Sequence, residues 1–468
     1  MKKLTLKEKL AYSAPAFALA VVGIPVYVYL PIFYTDVVGI PISTLGAILL
    51  IVRLFDAFTD PVIGLVSDRI RTPMGRRRPL IALGALFTVF AILLLFNPPP
   101  GLGPNAAMAW FMSLIFALFF FWTVVIVPYE SLGPELTYDY NERTALFSMR
   151  DGALIAGTIA AAAMPGAVKW AAGLDDSGEG QRQTFFILSL IYTPLIVAAC
   201  TWCVLVFRER SQRAVLARPP VLQWIRSSLA NRPFIILLIA YTISALGNNL
   251  PATLILYYVQ YVLGSGLADL FLVLYFVTGV VFLPMWVYIS GRTGKKNAWI
   301  ASMAINTGAF FWVFFLGPGD EVMYGILVVL SGIGFGATLA IPSAMQADVI
   351  DYDELVDGDR REGLYIGLWS ISRKLAAAVG VGTGLAMVGL AGYQPGVAQP
   401  EPVVLTLRVF YALVPSFCNA VAIVIALAYP ISGDMHRRIR AGIEARAAGQ
   451  SITDPLVPGR VLAGRNHS

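Results

Sequence analysis

A short charged run interrupts one apolar segment of the sequence: Arg53-Leu-Phe-Asp56-Ala-Phe-Thr59-Asp60-Pro61. On a helix, Asp56 and Asp60 are four residues apart and face the same side, and Arg53 lies three residues before Asp56. An ionised group at bilayer depth costs about 3 kcal/mol on insertion scales, so such groups are kept for a use. Two carboxylates and one guanidinium leave a net negative charge, which a cation or a proton would neutralise. We predict a site for a monovalent cation or H⁺ on Asp56 and Asp60, with Thr59 as a neutral oxygen and Arg53 as the charge partner of Asp56.

The alternative interpretation of this run is structural. The pair Arg53–Asp56 would only pack helices, and Asp60, next to a proline, would lie near the membrane interface. The eighth predicted span occupies the equivalent place in the second half of the chain, and its segment 276–284 carries no charge. A purely architectural need would recur in both halves, so the asymmetry favours a functional site.

The elements around this run are membrane spans. Of the 468 residues, 57% are hydrophobic and only 13% are charged, whereas a soluble protein carries about 25% charged residues. Apolar runs of this length can cross a roughly 30 Å hydrocarbon core only as helices. We predict an all-α membrane protein of twelve transmembrane helices in two pseudo-symmetric six-helix bundles. The predicted spans are 11–35, 42–66, 80–97, 106–130, 146–171, 185–207, 233–262, 268–290, 298–317, 321–347, 364–391 and 407–432.

The distribution of lysine and arginine predicts the topology. Basic residues collect in cytoplasmic loops, which puts both termini in the cytoplasm of a multi-pass protein of the cell (inner or plasma) membrane, with an uncleaved first span. The net charge of +6 follows from this topology and indicates no nucleic-acid partner. The predicted units are an N-terminal bundle (1–207) that carries the cation site, a cytoplasmic linker (208–232), a C-terminal bundle (233–432) and a basic cytoplasmic tail (433–468). Three cysteines inside spans and two histidines in the tail predict no protein metal site.

A basic turn after the second span is predicted to form a cytoplasmic gate. Two related halves indicate a secondary transporter with a central site, and such a site needs gates on either side. The acidic stretches 135–142 and 348–354 would pair with the turn as the halves rock. The gate residues of this prediction are Asp68, Arg69, Arg76, Arg77 and Arg78 on the turn, and Asp348 and Asp351 on the acidic side.

Other polar and aromatic residues inside the spans predict a substrate cavity. Arg150 and Lys374 are intramembrane cations, which usually face a cavity. Glu130 ends the fourth span and faces either the cavity or the interface. The aromatic candidates for stacking on a substrate are Tyr27, Trp122 and Trp369.

The motif R-x-x-D-A-x-x-D-P-x-x-G-x-x-x-D-R, followed by GRRRP, resembles helix 2 and the next loop of the glycoside–pentoside–hexuronide:cation symporters of the major facilitator superfamily, the family of melibiose-permease-like proteins. The resemblance extends to Tyr34-Thr-Asp-Val-Val-Gly39 and Val127-Pro-Tyr-Glu-Ser-Leu132. It implies the major facilitator fold and Na⁺ or H⁺ coupling, with Asp56, Asp60, Thr59 and Thr123 at the cation site. The family's functional cations on helices 5 and 11 fall on Arg150 and Lys374.

Two positions depart from the melibiose-transporting members. Ala20 and Ile126 stand where those members carry sugar-binding acids, so the galactoside set is incomplete. We predict a monomeric, cation-coupled symporter of a sugar, a glycoside or an anionic sugar, working in the bilayer by alternating access without a cofactor. A transporter of lysolipid or another amphipathic substrate, and a non-transporting receptor or scaffold, remain as alternatives. The sequence shows no nucleophile–base set or nucleotide loop, so an enzyme is not expected.

Overall fold

The computed structural model describes residues 4–137, 140–207, 231–358 and 361–464, and almost all of the regular structure in them is helical. Helices lie at the places of all twelve predicted spans. They are α1 (Leu6–Val38), α2 (Ile42–Arg69), α3 (Arg78–Phe96), α4 (Pro104–Leu136), α5 (Tyr140–Ala172), α6 (Gly178–Val206), α7 (Arg232–Tyr261), α8 (Ala268–Thr293), α9 (Lys295–Val313), α10 (Glu321–Asp357), α11 (Glu362–Leu390) and α12 (Glu401–Leu427). A tail helix, α13 (Gly433–Ala447), is followed by a short hairpin of β1 (Ile452–Thr453) and β2 (Val461–Leu462).

The helical fold class predicted from the sequence is confirmed. Eleven of these helices are long and apolar enough to cross a membrane within the described residues. The helix at the remaining place, α9, is 19 residues long and opens with Lys295 and Lys296, which lowers its mean hydropathy. The first helix is irregular: its α-helical part ends at Ile24 and wider turns follow at Pro25–Tyr29 and Phe33–Val38. Prolines inside and beside a helix interrupt its backbone hydrogen bonds, which explains these irregular turns.

The two groups of six helices meet at one end. The side of the molecule where α13 lies is called here the tail side, and the opposite side the far side. Helix α2 packs on α11, α5 on α8, and the far end of α1 on α7. One hydrophobic cluster joins residues of both groups on the far side, whereas the tail-side part of α7–α12 has a cluster of its own. The molecule is therefore closed on the far side. The division into two bundles, as a statement about independent units, stays a prediction.

Glycines allow the close crossing of α2 and α11. A Cβ added to Gly46 would lie 2.9 Å from the Cβ of Leu385, and one added to Gly382 would lie 2.7 Å from the Cβ of Leu50. Real Cβ atoms do not approach so closely, so larger side chains at these positions would push the helices apart. The crossing fixes the position of α11 relative to the charged run on α2.

The tail is docked on the bundle rather than solvated along its length. Arg446 donates a hydrogen bond to the carbonyl of Leu355, near the end of α10, where a cation also compensates the helix dipole. Asp454 accepts from Tyr352 at 3.1 Å, and its side chain is fully buried. Most of the predicted linker, 208–230, lies outside the described residues.

Candidate functional site

The two acids of the charged run converge on one lysine from the other group of helices. The Nζ of Lys374, on α11, lies 3.0 Å from Oδ2 of Asp56 and 2.6 Å from Oδ2 of Asp60. The side chain of Asp56 is only 7% exposed and that of Asp60 26%. With both carboxylates ionised, the cluster of two acids and one ammonium keeps a net negative charge in a poorly hydrated place.

A hydroxyl from α4 completes this cluster. The Oγ1 of Thr123 donates to Oδ1 of Asp56 at 2.8 Å and lies 3.3 Å from Oδ1 of Asp60. Thr123 is 1% exposed, and among the described residues its hydroxyl donates to these two carboxylates. Carboxylate and hydroxyl oxygens within a few ångströms of each other can hold a small hard cation, or one carboxylate can hold a proton. The structure thus brings together Asp56, Asp60 and Thr123, as the sequence analysis expected.

The predicted partnership of Arg53 with Asp56 is wrong. The Arg53 guanidinium lies 3.8 Å from the ring centroid of Tyr27 and 4.8 Å from that of Phe119, and donates to the Tyr27 hydroxyl at 3.1 Å. Helical spacing places Arg53 one turn from Asp56, but α1 and α4 offer two aromatic rings that attract the cation. The acid turns instead toward α4 and α11.

Thr59 contributes differently from the prediction. Its hydroxyl donates to the backbone carbonyl of Asp56 at 3.1 Å rather than to a carboxylate. The helix therefore already uses this hydroxyl, which would have to rotate away before its oxygen could serve an ion.

The other candidate cavity residues are distributed around this cluster. Arg150 pairs with its neighbour Asp151 at 2.7 Å, and Glu130 lies within Coulombic range of Arg150 and Lys374. Trp369 is buried against Tyr241, with ring centroids 4.0 Å apart.

The remaining cavity candidates are apolar residues packed in the helix bundle. Trp122 and Ile126 are half-buried against the hydrophobic cluster. Ala20 packs on α5, where a Cβ added to Gly157 would come within 2.8 Å of it. Small size at position 20 thus serves helix packing in this arrangement.

The predicted gate carboxylates are held within their own half and by the tail. Asp348 binds Lys295 at 2.6 Å, and Asp351 lies 3.0 Å from Nε2 of His436 and 3.8 Å from Arg440. On the other side of the predicted gate, the turn residues lie at the end of α2 and before α3. Arg69 is exposed, Arg77 is buried, and Arg78 donates to the carbonyl of Val204 at 2.7 Å. The side chain of Asp68 lies outside the described residues, Arg76, Arg77, Arg78 and Asp351 make further contacts, and the cross-half pairing stays a prediction.

Two carboxylate–tyrosine contacts that the sequence analysis did not predict close the far side. Asp36, near the end of α1, accepts from Tyr393 at 2.6 Å and also from Tyr261 at the end of α7. In the second contact the acid comes from the other group of helices: Asp269 at the start of α8 accepts from Tyr29 of α1 at 2.5 Å. Burial raises the pKa of Tyr393 far above its usual range, so its phenol stays a hydrogen-bond donor. We call these two contacts the far-side latches.

The chain was compared with known proteins. Residues 11–433 match the family model described as MFS/sugar transport protein. The chain is 27% identical to the glucuronide carrier protein homolog of Escherichia coli, covering 88% of this chain and 90% of that protein. It is also 27% identical to the isoprimeverose transporter of Lactiplantibacillus pentosus, covering 95% and 92%. Among solved structures, a point mutant of the nucleoside transporter NupG superposes with a TM-score of 0.67 at 13% identity, covering 90% of this chain and 99% of that one, which supports the fold alone.

Proposed function

This chain belongs to the MFS/sugar transport protein family, and from that premise we propose that it is a cation-coupled symporter which moves a sugar or sugar derivative by alternating access. The observation that carries the proposal is the acid pair Asp56 and Asp60, bridged by Lys374 from the opposite group of helices at 3.0 and 2.6 Å. The coupling ion is Na⁺ or H⁺, and Asp56, Asp60 and Thr123 bind it.

The lysine explains how ion binding can be coupled to movement. Without an ion, Lys374 bridges the two carboxylates and offsets half of their negative charge, which stabilises the empty carrier. A cation that enters between Asp56 and Asp60 makes the cluster neutral but moves the ammonium away from the carboxylates, and this separation costs free energy in a medium of low dielectric. Substrate binding then offsets this cost, so ion and substrate each raise the affinity of the other.

The basic residues orient the molecule in the membrane. We place the tail side in the cytoplasm, because most lysines and arginines outside the spans lie on that side. The far side then faces outward, and its latches make the present arrangement inward-facing. We propose that the protein works as a monomer, since each half of the cation cluster comes from the same chain.

The relatives indicate which cargo to try. One is named for glucuronide and another for isoprimeverose, so the candidates include both an anionic and a neutral sugar derivative. We propose a panel of methyl β-D-glucuronide, isoprimeverose and a lysophospholipid, the last as the representative of the amphipathic alternative. Counterflow in proteoliposomes, with Na⁺ and pH varied independently, identifies the substrate and the ion in one experiment.

The acid pair itself is tested with the substrate that this panel selects. We expect Asp56→Asn and Asp60→Asn each to abolish accumulation driven by the ion gradient, because an amide cannot supply the charge that binds the ion. Asp434→Asn, on the exposed surface of the tail helix, is the matched control and should accumulate substrate like the wild type. Accumulation at wild-type level by both acid-pair variants would refute the proposed ion site.

A further inference from the structure

A second cation, Arg373, immediately precedes Lys374 on α11, and its side chain points in another direction. Helix α11 packs on α2 and on α7, and Lys374 reaches toward α2. Arg373 is rotated about 100° from it on the helix. The side chain of Arg373 is exposed, and within the described part of the chain no hydrogen bond or ion pair involves it.

The surroundings of Arg373 show that it faces the space between the two groups of helices. Glu130 of α4, on the other side of that space, and Tyr241 of α7 both lie within electrostatic range of its guanidinium. One turn before it on α11, Trp369 stacks on Tyr241 at a centroid distance of 4.0 Å and an interplanar angle of 26°. Arg373 therefore shares a face of α11 with Trp369, on the side of the helix where Trp369 meets Tyr241 of α7.

Cations inside membrane spans usually face a cavity and mark a substrate or ion pathway, and the exposed Arg373 guanidinium is accessible to a ligand. Its planar fork of N–H donors matches a carboxylate in two parallel hydrogen bonds, and the half-buried ring of Tyr241 leaves part of an aromatic surface for the apolar face of a sugar. We propose that Arg373, with the Tyr241–Trp369 pair, forms a subsite for an anionic group of the substrate, a carboxylate carried by a sugar. This inference rests on the proposed symport function and specifies its substrate class.

The two cations that the sequence favoured for this task are already engaged. Arg150 pairs with Asp151 at 2.7 Å, and Lys374 bridges the acid pair. Of these three cations, Arg373 is the one that makes no hydrogen bond or ion pair in the described part of the chain, so its N–H donors are available to a ligand.

The charge balance of the spans agrees with an anionic substrate. The charged groups that the spans contribute around the cation cluster and Glu130 comprise four cations and four carboxylates. They are Arg53, Arg150, Arg373, Lys374, Asp56, Asp60, Glu130 and Asp151. When all are ionised, this set is neutral, and one monovalent cation makes it positive. One monoanionic substrate restores neutrality, so the loaded carrier would move with the same internal charge as the empty one.

The test compares two sugars that differ only in charge. Binding of methyl β-D-glucuronide and methyl β-D-glucoside to the purified protein is measured by calorimetry, in mildly acidic Na⁺ buffer that supplies either coupling ion. We expect the glucuronide to bind more tightly by about tenfold to a hundredfold, which is about 1.4–2.8 kcal/mol. Arg373→Gln should remove that preference and leave glucoside binding within about twofold, and Arg373→Lys should keep part of it. Arg292→Gln, whose guanidinium lies over Tyr288 at the tail-side end of α8, is the matched control.

Several results would overturn the subsite. They are equal or tighter binding of the glucoside, glucuronide binding that Arg373→Gln leaves unchanged, and the absence of binding of either sugar. A neutral disaccharide would then separate the two proposals. If the ion gradient drives its uptake and Asp60→Asn abolishes that uptake, the symport function is supported and the anionic subsite alone is refuted. Loss of the preference in Arg292→Gln as well would assign it to general surface charge and would also contradict the inference.

Discussion

The hydroxyl of Thr123 offers a sharp test of the cation cluster, because Thr→Val removes it while keeping the shape of the side chain. In the structure this hydroxyl donates to Asp56 at 2.8 Å and lies 3.3 Å from Asp60. The side chain is buried, so water does not replace the lost group. The variant therefore changes one oxygen next to the two carboxylates and little else.

The expected size of the effect follows from the energetics of charged hydrogen bonds. A hydrogen bond to an ionised group contributes about 1.5–3 kcal/mol, which corresponds to a change in affinity of roughly tenfold to a hundredfold. If Na⁺ is the coupling ion, Thr123→Val removes a ligand oxygen, and half-saturation should need about tenfold or more Na⁺. If H⁺ is the coupling ion, the proton should bind more tightly, because the hydrogen bond favours the charged carboxylate. The sign of the change thus identifies the ion.

The assay is initial uptake in proteoliposomes as a function of Na⁺ at fixed pH and of pH without Na⁺. Thr158→Val is the matched control, because its hydroxyl donates only to the carbonyl of Leu154 on its own helix. Thr59→Val, whose hydroxyl also bonds to its own helix, should have a smaller effect than Thr123→Val. If both ion dependences of Thr123→Val stay within about twofold of the wild type, the hydroxyl is not part of the ion site and the reasoning fails.

Three further predictions concern the far-side latches and the tail. Tyr261→Phe removes a donor to Asp36 and should expose the far side, seen as faster thiol labelling of a cysteine introduced in that interface, by about fivefold or more for one such hydrogen bond. Gly166→Ala should act in the same direction, because its Cβ would lie 2.8 Å from a carboxylate oxygen of Asp269. Arg446→Gln should lower the melting temperature in detergent by a few degrees, as about 1–2 kcal/mol of helix-end contacts is lost.

A specific result would contradict each of these predictions. Labelling of the Tyr261→Phe or Gly166→Ala protein at the wild-type rate would mean that the latches do not hold the far side closed. For the tail, Arg438→Gln is the matched control, since Arg438 is an exposed arginine of α13 with no such helix-end contact in the described residues. Equal melting of the Arg446→Gln and Arg438→Gln proteins would contradict the docking of the tail on α10.

The helices were predictable because the bilayer imposes their length and their composition. Each of the twelve apolar runs is found as a helix, and the run that begins near Lys295 and Lys296 differs only in its low mean hydropathy. The irregular turns after Ile24 could be expected from the prolines, but their width could not. The docking of the tail was not predicted, because it depends on where α10 ends and on buried contacts of Asp454 that no local pattern reveals.

The site was predictable in part. Spacing along one helix was enough to put Asp56 and Asp60 on one face. Thr123 was predicted only through the family resemblance, and Lys374 was predicted to line the substrate cavity rather than to bind the two acids. Spacing misled at Arg53, because it tells which residues share a face and not what the neighbouring helices present to them. Here an aromatic pair on α1 and α4 holds the guanidinium and a lysine from α11 holds the acids.

The far-side latches lay beyond sequence reasoning for a similar reason. Asp36 occurs in the segment that resembles the family, but its tyrosine partners lie more than 200 residues away along the chain. Their register depends on how the two groups of helices meet. The sequence does place an acid at the end of one span and tyrosines at the end of another, and such groups must be hydrated or bonded to each other. It does not indicate which acid pairs with which tyrosine.

Direct titration of the purified protein with the coupling ion tests the central claim most simply. Calorimetry with Na⁺ at neutral pH, and proton uptake followed with a pH indicator in the absence of Na⁺, measure ion binding without any assumption about the substrate. We expect the wild type to bind one Na⁺ or one H⁺ per chain, and Asp60→Asn to bind neither. An ion bound with wild-type affinity by Asp60→Asn, or no ion bound by the wild type, would contradict the account.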